Sequence, residues 1–129
     1  MKRNNPHRLG DLQFEIMKIL WAHGQATVAD VHGALANGAA LAYTTVATML
    51  RKLEGRGLVQ HHNAGRTFVY RAVIAEAAVT RSMTDDLLDR VFEGSLADLV
   101  SHLLTTREVN RGELIRLEKL IAEQRRRKS

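Results

Sequence analysis

One short segment of the sequence places hydroxyl groups and positive charges at helical spacing. At 100° per residue, one side of a helix would carry Thr44, Thr48 and Arg51, with Thr45 and Lys52 beside them. Threonine can bond to base edges and touch thymine methyls, and arginine can reach guanine or phosphate. No acidic residue falls on this side, so the pattern predicts a helix surface that contacts DNA. The alternative is a helix that uses the same side for protein contacts.

The elements that would position this surface are three helices and a hairpin. Helical periodicity predicts a first helix over about residues 11–22, a short second one after the N-cap Thr27, and a third over about residues 44–56. Two short extended runs follow, at residues 58–62 and 67–71, and the second is rich in β-formers. The third helix would bury an i, i+3, i+4, i+7 stripe formed by Val46, Met49, Leu50 and Leu53. This order predicts a winged helix-turn-helix, in which the third helix enters the major groove.

The hairpin would be the wing of this fold. Asn63 and Arg66 fall in its predicted turn, over residues 63–66, and are expected on the DNA backbone or in the minor groove. His61 and His62 are adjacent in a strand, so their side chains should point to opposite faces. We interpret both as surface histidines of the wing, because no histidine in the sequence has the spacing of a metal site.

Composition limits the function classes. The 129 residues contain no cysteine, which excludes disulfides, cysteine metal sites and cysteine nucleophiles. Residues 1–72 hold nine Lys/Arg against four Asp/Glu, whereas residues 73–129 hold ten of each. A basic first half suits a polyanionic partner. No catalytic motif, membrane span or signal peptide is legible, so we expect a cytoplasmic protein that is not an enzyme and needs no cofactor or metal.

The second half predicts helices that need a partner. Helical patterns cover about residues 76–92 and two further segments, capped by Ser95 and Asn110. Such short segments with wide apolar faces bury little surface alone, so we expect a homodimer, with packing onto the first domain as the alternative. The expected dimer contacts are Leu87, Val91, Leu99, Leu103, Leu114, Leu117 and Ile121.

Several segments resemble a known family. "LGDLQFEIMKILW", "TVADVHGAL", "AYTTVATMLRKLEGRGLV" and "GRTFVYRA" are similar to the penicillinase-repressor (BlaI/MecI/CopY) family over residues 9–72. A weaker, colinear likeness covers residues 76–124, where "GSLADLVSHLL" and "NRGELIRLEKLIAE" resemble the family's dimerisation helices. The resemblance implies a homodimeric winged-helix repressor of a palindromic operator. It maps the recognition helix onto Thr44–Leu53 and the wing onto Val59–Arg71.

The resemblance also implies how repression would end. In the family, a signalling protease cuts the repressor within its dimerisation domain, commonly at an Asn-Phe bond. The matching position is His102-Leu103, so this chain departs from the family at that bond. The metal response of the copper-sensing relatives uses cysteines near the C-terminus, which this chain lacks.

The expected architecture is therefore mainly α with a small β-hairpin wing. A winged helix-turn-helix DNA-binding domain would span residues 1–73, and an α-helical dimerisation domain with a basic C-terminal tail would span residues 74–129. The run Arg125–Lys128 is either a phosphate-binding arm or a solubilising end. The alternatives to a repressor are a winged-helix protein-interaction adaptor and a ligand-sensing regulator.

Overall fold

A computed structural model of the chain describes residues 9–128. Residues 1–8, which hold three of the basic residues counted above, lie outside the described residues. The helices are α1 (Asp11–His23), α2 (Val28–Ala34), α3 (Tyr43–Gly55), α4 (Glu76–Phe92), α5 (Leu96–Thr106) and α6 (Arg111–Lys128). The strands are β1 (Ala26–Thr27), β2 (Val59–Ala64) and β3 (Thr67–Ala72), with a 3₁₀ turn at Gly38–Ala40.

The predicted fold class is confirmed, with one addition to the sheet. The strand order is β1-β3-β2, and both pairings are antiparallel. The predicted hairpin is β2 and β3, whereas β1 has no signal in the sequence. Its two residues, Ala26 and Thr27, pair with Tyr70 and Val69 of β3. This short pairing joins the hairpin to the segment that enters α2.

Local signals set the helix ends much as the sequence predicts. The Thr27 hydroxyl accepts from the N–H of Asp30 at 3.1 Å, and the Asp30 carboxylate accepts from the N–H of Thr27 at 3.0 Å. Ser95 accepts from the N–H of Asp98 at 3.1 Å at the start of α5. Asn110 accepts from the N–H of Glu113 at 2.8 Å at the start of α6. The basic run that ends the sequence forms the last turns of α6, where cations favour the helix dipole.

The described chain divides into two compact units, the first ending at Asp86 and the second beginning at Leu87. Helix α4 belongs partly to each, so the predicted domain boundary at residue 73 stays a prediction. The first unit has an apolar core, formed by Leu9, Ile16, Met17, Leu20, Ala26, Val28, Val31, Leu35, Val46, Leu50, Leu53, Leu58, Val59, Tyr70 and Val79. Helix α3, both strands of the hairpin and the start of α4 are therefore anchored in one core.

The second unit is a set of helices without a core of its own. None of the described residues 87–128 is buried. None of the helices described for residues 9–128 is long and apolar enough to cross a membrane.

Candidate nucleic-acid interface

The orientation of α3 follows from its buried stripe. Val46, Leu50 and Leu53 are fully buried, while Met49 is half-buried. Burial of each of these aliphatic side chains stabilises the fold by about 2 kcal/mol. Rotating the helix about its axis would expose them to water and is therefore strongly disfavoured. The opposite side of α3 is consequently held toward solvent.

The end of α3 has a Schellman motif. Gly57 has φ 79°, a left-handed conformation that suits glycine. The Gly57 N–H donates to the Glu54 carbonyl at 2.9 Å, and the Leu58 N–H donates to the Leu53 carbonyl at 3.0 Å. This motif, predicted from Gly57 and Leu58, turns the chain directly into β2, so the wing begins at a set place relative to α3.

The predicted DNA-contacting residues of α3 lie together on its solvent side. Thr44, Arg51 and Lys52 are exposed, whereas Thr45 and Thr48 are half-buried. The Arg51 guanidinium donates to the Thr48 hydroxyl at 3.4 Å. The one acidic residue of α3 is Glu54. The helix begins at Tyr43, one residue before the predicted start, and Tyr43 is 52% exposed.

The turn between α2 and α3 positions the start of α3. The His32 Nε2 donates to the Leu41 carbonyl at 2.8 Å, and its ring meets Tyr43 edge-to-face at 6.2 Å between centroids. Gly38 is buried against the backbone of His32, where no room remains for a side chain. These contacts hold the segment that delivers α3.

The wing differs from the prediction in where its turn lies. The strands remain paired up to Ala64 and Thr67, so the turn consists of Gly65 and Arg66 alone. Gly65 has φ 67°, as tight hairpin turns require. Asn63, predicted within the turn, instead lies in β2 opposite Phe68. Arg66 and Asn63 are both exposed.

A groove of about 310 Å³ separates α3 from the wing. Arg51 of α3 and Arg66 of the turn both line it, together with Tyr43, Phe68 and Tyr70. Phe68 is 42% exposed. Tyr43 and Phe68 were not predicted to line a groove, although each is an aromatic residue close in sequence to a predicted contact residue.

The two predicted wing histidines have different environments. His62 is exposed, whereas His61 is half-buried on the side of the wing that faces α3. His61 bonds to Glu54 and stacks on Phe68. Burial raises the pKa of the Tyr70 phenol beside them, and the Glu54 charge adds to the effect. His61, predicted as a surface histidine of the wing, is thus partly shielded from solvent by these contacts.

Among residues 9–128, no three His, Cys, Asp or Glu side chains cluster closely enough to hold a metal ion.

In the second unit, the predicted dimer residues lie at the surface of the single chain. Leu87, Val91, Leu103, Leu114 and Ile121 are exposed. Leu99 and Leu117 are half-buried. A groove of about 660 Å³ between α5 and α6 is lined mostly by apolar side chains, including Leu96, Leu104 and Ile121. The predicted cleavage position, His102-Leu103, lies inside α5, and the His102 ring packs 5.8 Å from that of Phe92.

A family model and two curated relatives indicate one family. The family model described as penicillinase repressor matches residues 9–123. The penicillinase repressor of Bacillus licheniformis is 28% identical over 94% of each chain. The transcriptional regulator BlaI of Mycobacterium tuberculosis is 35% identical over 75% of this chain and 72% of its own.

Solved structures are similar as well. The DNA-binding domain of the repressor BlaI is 32% identical, with a TM-score of 0.50 over 59% of this chain and 92% of that domain. The YusO protein of Bacillus subtilis has a TM-score of 0.54 over 93% of this chain and 77% of its own, at 15% identity. At that identity the likeness concerns the fold alone.

Proposed function

This chain belongs to the penicillinase repressor family, and from that premise we propose that it represses transcription as a homodimer bound to a palindromic operator in double-stranded DNA. The observation that carries the proposal is the solvent side of α3. It displays Thr44, Arg51 and Lys52, and the buried stripe of the helix holds it outward. A helix of this kind fits the major groove, which is about 12 Å wide.

In the proposed complex, α3 and the wing contact different parts of the duplex. Thr44, Thr45 and Thr48 contact base edges. Their hydroxyls can hydrogen-bond to the bases, and their methyl groups can contact thymine methyls. Arg51 and Lys52 bind phosphates beside the groove. The wing turn, with Arg66 at its tip and Asn63 next to it, lies on the neighbouring backbone or minor groove.

The homodimer is proposed because the second unit exposes apolar side chains that a second copy of the chain would cover. Val91 is 61% exposed, and Ile121 is 55% exposed. Helices that bury no residue in a single chain gain too little from burial to offset the entropy of ordering them. A second copy of the same helices supplies matching apolar surface. A dimer also pairs two recognition helices with the two half-sites of a palindrome.

Single substitutions on α3 test the DNA contacts. The probe is a 40-base-pair duplex that the wild-type protein selects from a randomised pool, with binding followed by fluorescence anisotropy over a range of salt concentrations. Arg51→Ala and Lys52→Ala should each weaken binding and lower the salt-dependence slope by about 2, because in the homodimer each substitution removes about one phosphate contact from both protomers. Thr48→Ala should change which sequences the protein selects.

A matched control separates these contacts from general charge effects. Lys18→Ala removes one exposed positive charge from α1, where the ammonium lies 5.2 Å above the Phe14 ring. It should leave the slope unchanged. Unaltered affinity in all three α3 variants would contradict the proposed docking. No salt-dependent binding of any duplex by the wild type would favour the interaction-adaptor alternative.

Sedimentation tests the assembly. Leu103→Asp and Leu117→Asp place a charge in the proposed interface and should yield monomers, because an unpaired carboxylate is costly to bury. Lys119→Asp introduces the same carboxylate on the opposite side of α6 and should leave the dimer intact. Dimers of unchanged stability in both leucine variants would contradict the proposal.

Derepression by a signalling protease stays a prediction for this chain. The peptide bond between His102 and Leu103 lies within the hydrogen-bonded backbone of α5. Since proteases bind extended segments, α5 would have to unwind locally before that bond could be cut.

A further inference from the structure

A contact between α3 and β2 joins the recognition helix to the wing. The Glu54 carboxylate accepts from the ring Nδ1 of His61, with its two oxygens at 2.7 and 2.8 Å. The same carboxylate accepts from the backbone N–H of His61 at 3.2 Å. The side chains of His61 and Glu54 are 29% and 31% exposed, so the bonds are partly shielded from water. We call this arrangement the Glu54–His61 clamp.

The clamp reaches both strands of the wing. The His61 ring stacks on Phe68 of β3, with 4.1 Å between centroids and 17° between planes. It also lies 5.5 Å from the ring of Tyr70. Because β2 and β3 are paired along their whole length, a contact that holds His61 against α3 also restrains β3.

The hairpin needs such a contact between its base and its tip. At the base, Val59 and Tyr70 are buried in the core of the first unit. Beyond His61, the residues from His62 to Phe68 are exposed. A two-stranded hairpin has little stability of its own in water, so without the clamp the tip could lean toward or away from α3. The clamp lies where the hairpin leaves the core.

The position of the tip matters because cations line both sides of the groove between α3 and the wing. Arg51 belongs to α3 and Arg66 to the turn of the hairpin. Simultaneous binding of both to DNA requires that their separation match the duplex, and a rigid linkage lowers the entropy lost on binding.

We propose that Glu54 is a positioning residue for DNA binding, which holds the wing at the distance from α3 at which both contact the duplex. The inference rests on the proposed function. Glu54, the one acidic residue of α3, would act on DNA binding by holding His61 and the wing in place, without contacting DNA itself.

The sign of a mutational effect separates this role from simple electrostatics. A carboxylate close to phosphates repels them, so if Glu54 acted only through its charge, removing it would tighten DNA binding. A positioning role predicts the reverse. Glu54→Ala should weaken binding although the protein becomes more positive.

The experiment measures affinity and footprint together on the 40-base-pair duplex selected by the wild type. Glu54→Ala and His61→Ala should each bind about tenfold more weakly. The double variant should bind no more weakly than either, because both changes break the same clamp. Glu54→Gln keeps an oxygen that can accept from His61, so it should recover most of the affinity. In a hydroxyl-radical footprint, Glu54→Ala should lose the protection given by the wing and retain that given by α3.

The control is Glu15→Ala. Glu15 also accepts from a backbone N–H, that of Ala36 at 3.0 Å, but it belongs to α1 and lies outside the clamp. This variant should keep the affinity and the footprint of the wild type at temperatures where both remain folded, as circular dichroism can verify.

The outcomes are distinguishable. Unchanged or tighter binding by Glu54→Ala would overturn the positioning role. A uniform loss of protection across the footprint would do so as well, because it would indicate a structural role only. Failure of the wild type to bind any duplex would overturn the proposed function and this inference together.

Discussion

Replacing Gly38 with alanine should destabilise the turn that leads from α2 into α3. Gly38 follows α2 and is buried. Its φ is negative, so the need for glycine here comes from space and not from backbone conformation. An added Cβ would lie well inside van der Waals contact with the His32 carbonyl oxygen, which is part of the backbone and cannot rotate away.

The expected magnitude follows from that overlap. Relieving it requires a shift of about 1 Å, since ordinary contacts begin at about 3.5 Å. Forced shifts of this kind in a packed region cost about 1–3 kcal/mol, and we expect a loss of about 2 kcal/mol in the free energy of unfolding. His32 also bonds to the Leu41 carbonyl, so the shift should loosen the entry to α3 and weaken operator binding.

A second glycine provides the control. Gly33 lies in α2, and a Cβ added there would meet nothing within 4 Å. Because alanine favours helix over glycine, Gly33→Ala should stabilise the protein by about 0.5 kcal/mol. Urea unfolding followed by fluorescence of Trp21, the single tryptophan, reports on the first unit. If Gly38→Ala has a free energy of unfolding within about 0.5 kcal/mol of the wild type, or if both variants shift it in the same direction, then space at Gly38 is not limiting.

Three further substitutions probe the same unit. Leu50→Ala should cost about 3 kcal/mol in urea unfolding, because Leu50 is fully buried, and a loss below about 1 kcal/mol would contradict the core described. Trp21→Phe removes the N–H that donates to the Ile74 carbonyl at 2.9 Å, and should cost about 1 kcal/mol by circular dichroism; no loss would mean that water replaces the bond. Hydrogen bonds from the backbone and side chain of Thr27 lower the pKa of Asp30 in the folded protein. The ionised carboxylate therefore stabilises the fold above the pKa of the unfolded state, about 3.9, and this stabilisation is lost as the pH falls through the lower pKa of the folded state. Asp30→Asn should therefore lose less stability than the wild type between pH 5 and pH 2, and equal losses would contradict this.

Much of the first unit could be predicted because its signals are local. Thr27 and Asp30 lie three residues apart, and the capping box they form needs nothing from the rest of the chain. Gly57 and Leu58 likewise define the end of α3 through contacts within one turn. The apolar stripe of α3 then decides which side faces solvent, so the sequence was sufficient to group Thr44 with Arg51.

The features that escaped prediction depend on contacts between distant segments. Ala26 and Thr27 form a strand only because β3 lies beside them. Asn63 belongs to β2 because the hairpin register extends to Ala64, whereas the sequence around it favours a turn equally well. The Glu54–His61 clamp requires knowing that β2 returns past the end of α3.

The predicted dimer contacts are surface residues in the single chain. Whether Leu103 and Leu117 lie in an interface depends on the surface that packs against them. A pattern of exposed leucines in the sequence does not distinguish one partner from another. The sedimentation of the aspartate variants decides it directly.

The most direct test of the central claim is an NMR titration of the ¹⁵N-labelled protein with the selected duplex. We expect the largest amide shifts in residues 43–55 and 59–72, which form α3 and the wing. Shifts concentrated in α1 or in the second unit, with those two elements unaffected, would contradict it.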